Sequence, residues 1–186
     1  MKYFKKLVGD RIYLSPRNME DVEIFTKWLN DFGTTDYIGR SAQVMSLKEE
    51  EEYLQEHVKE EAVFSIIDLE KDKLIGTVGL ECINHINRAA ILGIFIGETE
   101  YRSKGYGTEA INLILEYGFK YLNLKNIKLD LLEFNTRALE CYKKCGFREY
   151  GRRRKCKFVN GNYYDIIEMD ILDDEFDGNY IKNKNI

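Results

Sequence analysis

Two glycines and two basic residues stand close together in residues 102–108, which read Arg-Ser-Lys-Gly-Tyr-Gly-Thr. An apolar run typical of a strand precedes this segment, and an apolar pattern of helical spacing follows it. Glycine lets a main chain approach a ligand closely, and the first amides of a helix lack partners within the helix and attract anions. The segment is therefore suited to a phosphate group, although it matches neither the Gly-x-x-x-x-Gly-Lys-Ser/Thr loop nor the three-glycine dinucleotide motif.

A second group of residues at fixed spacing lies downstream, around a helix predicted over residues 136–144. Its members are Asn135, Ala138, Tyr142, Gly146 and Phe147. Asparagine is a favoured N-cap residue, and glycine commonly ends a helix. The spacing therefore predicts a short, capped helix that carries Tyr142.

The composition restricts the class of protein. The length of 186 residues and the hydrophobic fraction of 44% predict a single domain over residues 1–186. The formal net charge of −4 argues against a dedicated nucleic-acid-binding protein, because such a protein needs a basic face. We therefore expect no nucleic-acid partner.

The cysteines and the N-terminal segment restrict the location of the protein. The four cysteines form no Cys-x-x-Cys pair and have no zinc-ligand spacing to the two histidines, so we expect reduced, mostly buried thiols and no metal. The first residues lack the apolar core of a signal peptide, and no apolar run approaches the length of about 18 residues that spans a membrane. We expect a cytoplasmic protein with no membrane partner.

Apolar spacing and capping residues predict two helices in the first third of the chain. A strand over residues 10–16 is followed by a helix over 18–30, a loop over 31–43 and a second helix over 47–60. Ser46 and Glu49 form a capping box for the second helix. We interpret the glutamate run of this helix as a solvated face rather than an acidic docking surface.

Strand-like patterns dominate the rest of the chain. Strands are predicted over residues 63–69, 74–83, 89–97, 125–132, 147–158 and 163–172, with a helix that ends near residue 122 and another over 136–144. The first three form an antiparallel meander, and the fourth follows a helical crossover and lies parallel to the third. The prediction is an α/β (α+β) fold: a mixed, mostly antiparallel sheet of about seven strands with about four helices. A polar, acidic tail follows over residues 173–186.

The order of these elements and the two motifs resemble the GNAT superfamily of N-acetyltransferases, most closely its branch of ribosomal-protein alanine acetyltransferases and spermidine acetyltransferases. The superfamily signature, Gln/Arg-x-x-Gly-x-Gly/Ala, is matched by Arg102, Gly105 and Gly107. The Asn-x-x-Ala-x-x-x-Tyr-x-x-x-Gly-Phe segment of the branch is matched by residues 135–147. The likeness extends over about residues 7–176 and implies a single-domain GNAT fold with a splayed central strand pair.

The resemblance implies that acetyl-CoA is the acetyl donor and lies where the strands over 89–97 and 125–132 splay apart. Its pyrophosphate would lie on the amides that begin the following helix, and its carbonyl oxygen would meet a main-chain amide near Ile96 or Gly97. The implied cofactor-binding residues are Ile96, Gly97, Arg102, Lys104, Gly105, Tyr106, Gly107, Thr108 and Asn135. Asn135 also has the simpler interpretation of a helix cap.

Acetyl transfer to an amine needs a neutral nucleophile, a polarised carbonyl and a proton for the departing thiolate. The resemblance implies Tyr142 as the acid, since a phenol keeps its proton at neutral pH; the alternative is a core tyrosine bonded to the main chain. Members of this branch often carry a carboxylate early in the strand before the signature, but residues 89–92 are apolar here. Glu81 in the adjacent strand is our candidate base, with His85 and Glu98 as alternatives.

Two further sets of residues allow more than one interpretation. Cys141 and Cys145 are one helical turn apart and suggest an acetyl-cysteine intermediate, but no histidine stands in motif with them. We prefer direct transfer in a ternary complex. The basic residues 152–155 and Lys157 lie on a predicted strand, where side chains alternate, and part of the run could meet an acidic substrate or the 3′-phosphate of CoA. We favour a solvated strand face.

We therefore predict an acetyl-CoA-dependent N-acetyltransferase that acts as a monomer or a homodimer. Its acceptor would be a small-molecule or peptide amine: a protein N-terminal amine, a polyamine or another small amine. The alternative is a non-catalytic module that binds CoA with the same fold.

Overall fold

The computed structural model describes residues 2–57 and 62–184, and the predicted end of the second helix at residues 58–60 lies outside them. The strands within these residues are β1 (Leu7–Val8), β2 (Ile12–Pro16), β3 (Ala62–Asp68), β4 (Leu74–Asn84), β5 (Ala89–Ile96), β6 (Asn126–Leu132), β7 (Arg148–Val159) and β8 (Asn162–Leu172). They form one eight-stranded sheet in the order β1-β2-β3-β4-β5-β6-β8-β7. The predicted mixed, mostly antiparallel sheet is confirmed, with the short β1 as an additional edge strand.

The α-helices of the described chain are α1 (Val22–Leu29), α2 (Phe32–Thr35), α3 (Leu47–His57), α4 (Tyr106–Lys120) and α5 (Thr136–Lys144). The helix predicted over 18–30 begins as a 3₁₀ turn, in which Asn18 Oδ1 accepts a hydrogen bond from Glu20 N at 2.9 Å. The short α2 lies in the predicted loop, where Asp31 accepts from Gly33 N at 3.2 Å. Both differences arise from local side-chain bonds to the backbone.

The sheet opens between β5 and β6. These strands are parallel, as predicted, but they pair only from Ala89 with Asn126 to Ile91 with Lys128. Beyond this point β6 continues against β8, whereas β5 stays with β4 as far as Ile96. The two strands therefore diverge and leave a gap, which confirms the splayed central pair.

The helix α4 is fixed against one face of the sheet. Its most deeply buried apolar side chains, each at most 1% exposed, are Ala110, Ile111, Leu113, Ile114 and Leu115. Burial of an aliphatic side chain of the size of leucine contributes about 1.5–3 kcal/mol. A second apolar cluster joins Trp28 of α1, Leu54 of α3 and Tyr13 of β2. The first amides of α4 are therefore held in place relative to the sheet.

The C-terminal tail packs on the molecule, which corrects the expectation of a polar tail beyond a core of residues 7–176. Ile181 is 4% exposed, and Glu116 of α4 is 0% exposed. The Glu116 carboxylate accepts hydrogen bonds from Tyr180 N, from Ile181 N at 3.0 Å and from Lys184 Nζ at 2.7 Å. The core therefore extends past residue 176 because a carboxylate in α4 binds the main chain of the tail.

The glutamate run of α3 is not uniformly solvated. The capping box is confirmed, since Glu49 N donates to Ser46 Oγ at 3.2 Å and Ser46 N donates to Glu49 Oε2 at 2.9 Å. The next residue, Glu50, is only 2% exposed. The interpretation of the run as a solvated face is therefore wrong at Glu50, because the helix turns this position inward.

The cysteines are free thiols, as predicted, but of the four only Cys145 is buried, while Cys82 is exposed. Among the described residues, no group of three or more His, Cys, Asp and Glu side chains is arranged to hold a metal ion. No helix in the described ranges is both long enough and apolar enough to cross a membrane.

Candidate active site

A cavity of about 830 Å³ opens in the gap between β5 and β6, and α1, α2 and α3 also contribute to its lining. The predicted site residues that line it are Glu81, Ile96, Arg102, Gly105, Gly107, Thr108, Asn135 and Tyr142. The predicted residues Gly97, Lys104 and Tyr106 lie outside the lining, as do the alternative bases His85 and Glu98. The fold thus brings most of the predicted site together from strands and helices that are distant in sequence.

The backbone immediately before α4 adopts a left-handed conformation at Gly105. Gly105 has φ +86°, in the left-handed region that glycine adopts without strain. Ser103 also has a positive φ of +59° and lines the cavity, although the sequence did not single it out. Arg11 Nη1 donates to Lys104 O at 3.0 Å and fixes the loop from outside. The first amides of α4, which lack partners within the helix, therefore begin at the cavity wall.

We expect Gly105→Ala to weaken CoA binding about tenfold, because the left-handed conformation costs alanine about 1–2 kcal/mol and the loop must shift. The added Cβ would also lie 3.1 Å from Arg11 Nη2. Gly161→Ala is the matched control, since Gly161 has φ +80° and open space around the added Cβ. Isothermal titration with CoA should show the loss for Gly105→Ala alone. Equal affinities for the two variants would contradict the prediction.

The Arg102 guanidinium is bound to oxygens of the protein. Its Nε donates to Ile96 O at 2.8 Å, and its Nη2 donates to Gly97 O at 3.0 Å and to Thr34 Oγ1 at 2.8 Å. Its Nη1 donates to Gly33 O at 2.9 Å. Burial lowers the pKa of Arg102, but an arginine remains charged at neutral pH. These bonds join the end of β5 to α2, so the geometry gives Arg102 a positioning role that the sequence did not predict.

The amide of Gly97 is not open to a ligand, which corrects one expectation. Gly97 N donates to Ile75 O at 3.0 Å. Main-chain groups alternate along an antiparallel strand, so the amides of Ile94 and Ile96 point to the side from which β6 has diverged. Gly97 is needed for packing instead, since a Cβ there would lie 2.1 Å from Trp28 Cδ2. A carbonyl oxygen in the gap would therefore meet the amide of Ile94 or Ile96.

Asn135 uses both ends of its side-chain amide. Its Oδ1 accepts from Ala138 N at 3.2 Å, which confirms the predicted cap of α5. Its Nδ2 donates to Tyr37 O at 3.3 Å and so joins α5 to the segment after α2. The structure thus adds a positioning role to the cap, and the CoA contact of Asn135 stays a prediction.

Tyr142 lies on α5 and is 8% exposed, with its ring centroid 5.9 Å from that of Phe147. It lines the cavity, and its hydroxyl makes no hydrogen bond to any described residue. The alternative of a core tyrosine bonded to the main chain therefore has no support in the described chain. Burial raises the pKa of Tyr142, so the phenol keeps its proton at neutral pH.

The Glu81 carboxylate lies over the neighbouring strand at Gly93. Glu81 pairs with Ile91 in the register of β4 and β5, and a Cβ added at Gly93 would lie 3.2 Å from Glu81 Oε1. Gly79 and Gly93 face each other two positions along. Both glycines line the cavity together with Glu81, so main chain forms part of the cavity wall beside this carboxylate.

The alternative bases lie elsewhere. Glu98 is 2.5 Å from Lys73 Nζ and accepts a hydrogen bond from Trp28 Nε1 at 3.2 Å. Burial works to raise the pKa of Glu98, but these two bonds outweigh it and lower the pKa. His85 is exposed in the turn between β4 and β5. Of the three candidates, only Glu81 lines the cavity.

A thiol also lies in the cavity wall. Cys141 Sγ is 3.3 Å from Thr108 Oγ1, and a hydrogen bond from the Cys145 thiol lowers the pKa of Cys141. The residues that line the cavity include no histidine to act as its base. Direct transfer therefore remains our preferred prediction.

The basic run on β7 divides into two sets. Arg152 and Lys155 lie near the carboxylates of Glu133 and Asp165, at 3.5–3.9 Å. Arg153 and Lys157 line the cavity. An irregular register between Arg153 and Lys157 breaks the simple alternation, so the run is not wholly the solvated face that we favoured.

Comparison with known proteins is consistent with this geometry. Residues 11–148 match the family described as acetyltransferase (GNAT) domain. The spermidine N(1)-acetyltransferase of Vibrio cholerae serotype O1 is 38% identical over 133 residues, which cover 70% of this chain and 76% of that protein. The crystal structure of the Vibrio cholerae spermidine N-acetyltransferase in complex with CoA and spermine has a TM-score of 0.82 and 32% identity, covering 89% of this chain and 97% of that one.

A related structure bears on assembly. The dodecameric structure of the Vibrio cholerae spermidine N-acetyltransferase has a TM-score of 0.75 and 30% identity, covering 89% of this chain and 95% of that one. The dodecamer is a property of that protein, and the expectation of a monomer or homodimer stays a prediction for this chain.

Proposed function

Since the chain belongs to the GNAT acetyltransferase family, it is an acetyl-CoA-dependent N-acetyltransferase, and we propose that it transfers the acetyl group directly to a primary amine bound in the same cavity. The observation that carries this proposal is the position of Tyr142 and Glu81, which line one cavity together with the start of α4. We further propose that residues 1–186 act as a single catalytic domain.

The donor end of the proposed site consists of α4, α5 and the open side of β5. Amides at the start of α4, near Gly105 and Gly107, would bind the pyrophosphate, because unpartnered helix amides favour anions. Arg137 and Lys144 of α5 line the cavity and would add positive charge for the phosphates of CoA. The amides of Ile94 and Ile96 would polarise the thioester carbonyl.

The acceptor must lose a proton before it attacks. An alkylamine with a pKa of about 10.4 needs about 4–5 kcal/mol to become neutral at pH 7, whereas an α-amine with a pKa of about 8 needs about 1.4 kcal/mol. Glu81 would accept this proton, either directly or through a water molecule. As the amine nitrogen bonds to the carbonyl carbon and the carbon–sulfur bond breaks, Tyr142 would give its proton to the sulfur.

Thiol release from acetyl-CoA over a panel of amines tests the proposal, with the product identified by mass. The panel should contain spermidine, free amino acids and short peptides, because the Vibrio cholerae relative is named for spermidine and the sequence also suggested N-terminal amines. We expect release above the blank with at least one amine. Tight binding of acetyl-CoA without release by any amine would instead favour the non-catalytic module.

We expect Glu81→Gln to lower kcat/KM at pH 7 about 10- to 100-fold, because the amide cannot accept the amine proton. The loss should shrink as the pH rises and the amine becomes neutral without help. Glu98→Gln is the matched control, since its carboxylate is bound by Lys73 and Trp28 outside the cavity lining. A Glu81→Gln enzyme that kept the acidic limb of the wild-type pH profile would exclude Glu81 as the base.

A further inference from the structure

Glu50 is a buried carboxylate in the wall of the cavity. Its side chain lies on α3 and is 2% exposed. It lines the cavity, and its Oε2 has no hydrogen-bond partner in the part of the chain that the structure describes. An unpartnered buried carboxylate oxygen is costly, so natural proteins rarely retain one without a function. Because Glu50 lines the cavity, this oxygen can accept a hydrogen bond from a bound ligand.

Two arginines accompany Glu50 in the cavity wall. Arg17 and Arg40 both line the cavity, and their positive charges oppose the rise that burial causes in the pKa of Glu50. Neither guanidinium lies within 4 Å of a carboxylate of the described residues. The Arg17 guanidinium lies 5.4 Å from the centre of the Tyr53 ring, which restricts its position. We call Arg17, Arg40 and Glu50 the acceptor cluster. Two arginines and one glutamate give the cluster a formal charge of +1.

The sheet register places Arg17, one member of the acceptor cluster, on the side of β4 away from the gap between β5 and β6. Arg17 follows β2 directly, where Pro16 pairs with Phe64 of β3, and β3 in turn pairs with β4, which carries Glu81. Adjacent strands lie about 4.8 Å apart, so two spacings, or about 10 Å, separate the start of the cluster from the strand of Glu81. The gap between β5 and β6 lies on the other side of β4. Because Arg17 and Glu81 line the same cavity, an acceptor whose amine lies at Glu81 could place a second group at Arg17.

From this arrangement we propose that the acceptor is an amine that also carries a carboxylate and an N–H donor, as an amino acid or an acidic peptide does. Arg17 and Arg40 bind the carboxylate, and Glu50 Oε2 accepts the N–H. The single positive charge of the cluster matches one carboxylate. A polyamine would satisfy Glu50 but would place ammonium groups against two guanidinium groups. This inference rests on the proposed function and names the acceptor class of the same site.

The test compares acceptors that differ by one charge. The purified full chain is assayed by thiol release with a short peptide that has a free N-terminus, a glutamate and an amidated C-terminus, its glutamine counterpart, free glutamate and spermidine. The acceptor carboxylate would form charge-assisted hydrogen bonds with the arginines of the cluster. We therefore expect kcat/KM for the better of the two glutamate acceptors to exceed that for the glutamine peptide by about 10- to 100-fold. Comparison of kcat/KM for the glutamate peptide with that for free glutamate then shows whether the cavity prefers a peptide or a free amino acid.

Arg17→Gln links this preference to the cluster. We expect it to lower kcat/KM for the glutamate acceptor about tenfold or more, through KM, while the glutamine peptide changes less than about twofold. Arg154→Gln is the matched control, since Arg154 is exposed on β7 and is not part of the cavity lining. Thermal unfolding of both variants confirms that the fold is kept.

The outcomes separate the two proposals. Spermidine preferred over every carboxylate-bearing amine would overturn the inference and leave the N-acetyltransferase proposal standing. A glutamate preference that Arg17→Gln leaves intact would overturn the assignment to the cluster. No thiol release with any amine would overturn both.

Discussion

Tyr142→Phe is expected to lower kcat about 10²- to 10³-fold, because the variant has no proton to give to the departing sulfur. The ring itself remains and keeps its contact with Phe147, at 5.9 Å between centroids. Acetyl-CoA affinity should therefore stay within about twofold of the wild type, since the lost interaction forms only as the bond breaks. A loss of kcat with unchanged acetyl-CoA affinity would indicate that Tyr142 acts as an acid and not merely as a packing residue.

Steady-state thiol release and isothermal titration with acetyl-CoA measure the two quantities. Tyr121→Phe is the matched control, since Tyr121 is 53% exposed at the end of α4 and lies outside the cavity lining. Because burial raises the pKa of Tyr142, ionisation of the phenol should cause no loss of activity up to about pH 10, the ordinary tyrosine pKa. Full turnover by Tyr142→Phe would exclude the acid role.

Glu116→Ala is expected to lower the free energy of unfolding by about 3 kcal/mol, because it removes a buried carboxylate that accepts hydrogen bonds from two main-chain amides and an ammonium group. The substitution leaves two tail amides and the Lys184 ammonium without their acceptor. For a chain of this size, the corresponding fall in Tm is about 6–12 °C. Chemical denaturation at pH 7 measures the loss.

The same carboxylate predicts a pH dependence. Burial works to raise the pKa of Glu116, but the hydrogen bonds from Lys184, Ile181 and Tyr180 outweigh it and lower the pKa. A carboxyl whose folded pKa is below its unfolded value stabilises the fold fully above the unfolded pKa of about 4.3. This stabilisation is lost as the pH falls through the folded pKa. The difference between wild type and Glu116→Ala should therefore shrink under acid.

Two controls define the role of the tail. Glu140→Ala removes an exposed ion pair with Lys143 and should cost less than about 1 kcal/mol. Removal of residues 177–186 should make most of the effect of Glu116→Ala disappear, because the two changes act on the same bonds. Additive losses would show that Glu116 stabilises the fold through something other than the tail.

Features that depend on neighbours along the chain could be predicted from the amino-acid sequence. The start of a helix after the glycine segment, the Asn135 cap of α5 and the Ser46 capping box were predicted and observed, because each depends on residues only a few positions apart. The parallel pairing of β5 with β6 was also predicted, because a helical crossover between strands allows little else. These local rules were enough to predict the fold class, whereas the donor half of the site rests on the resemblance to the GNAT superfamily and stays a prediction.

The partners of several polar side chains became known only from the three-dimensional fold. Helical periodicity placed a glutamate run on α3 but did not show that Glu50 turns into the cavity. Similarly, the sequence favoured Glu81 over Glu98 as the base, but it did not show that Glu81 lies over Gly93 and that Glu98 binds Lys73. The sequence also did not show that Glu116 binds the tail. In each case the partner is distant in sequence, so packing and register determine the contact, and local propensity does not encode them.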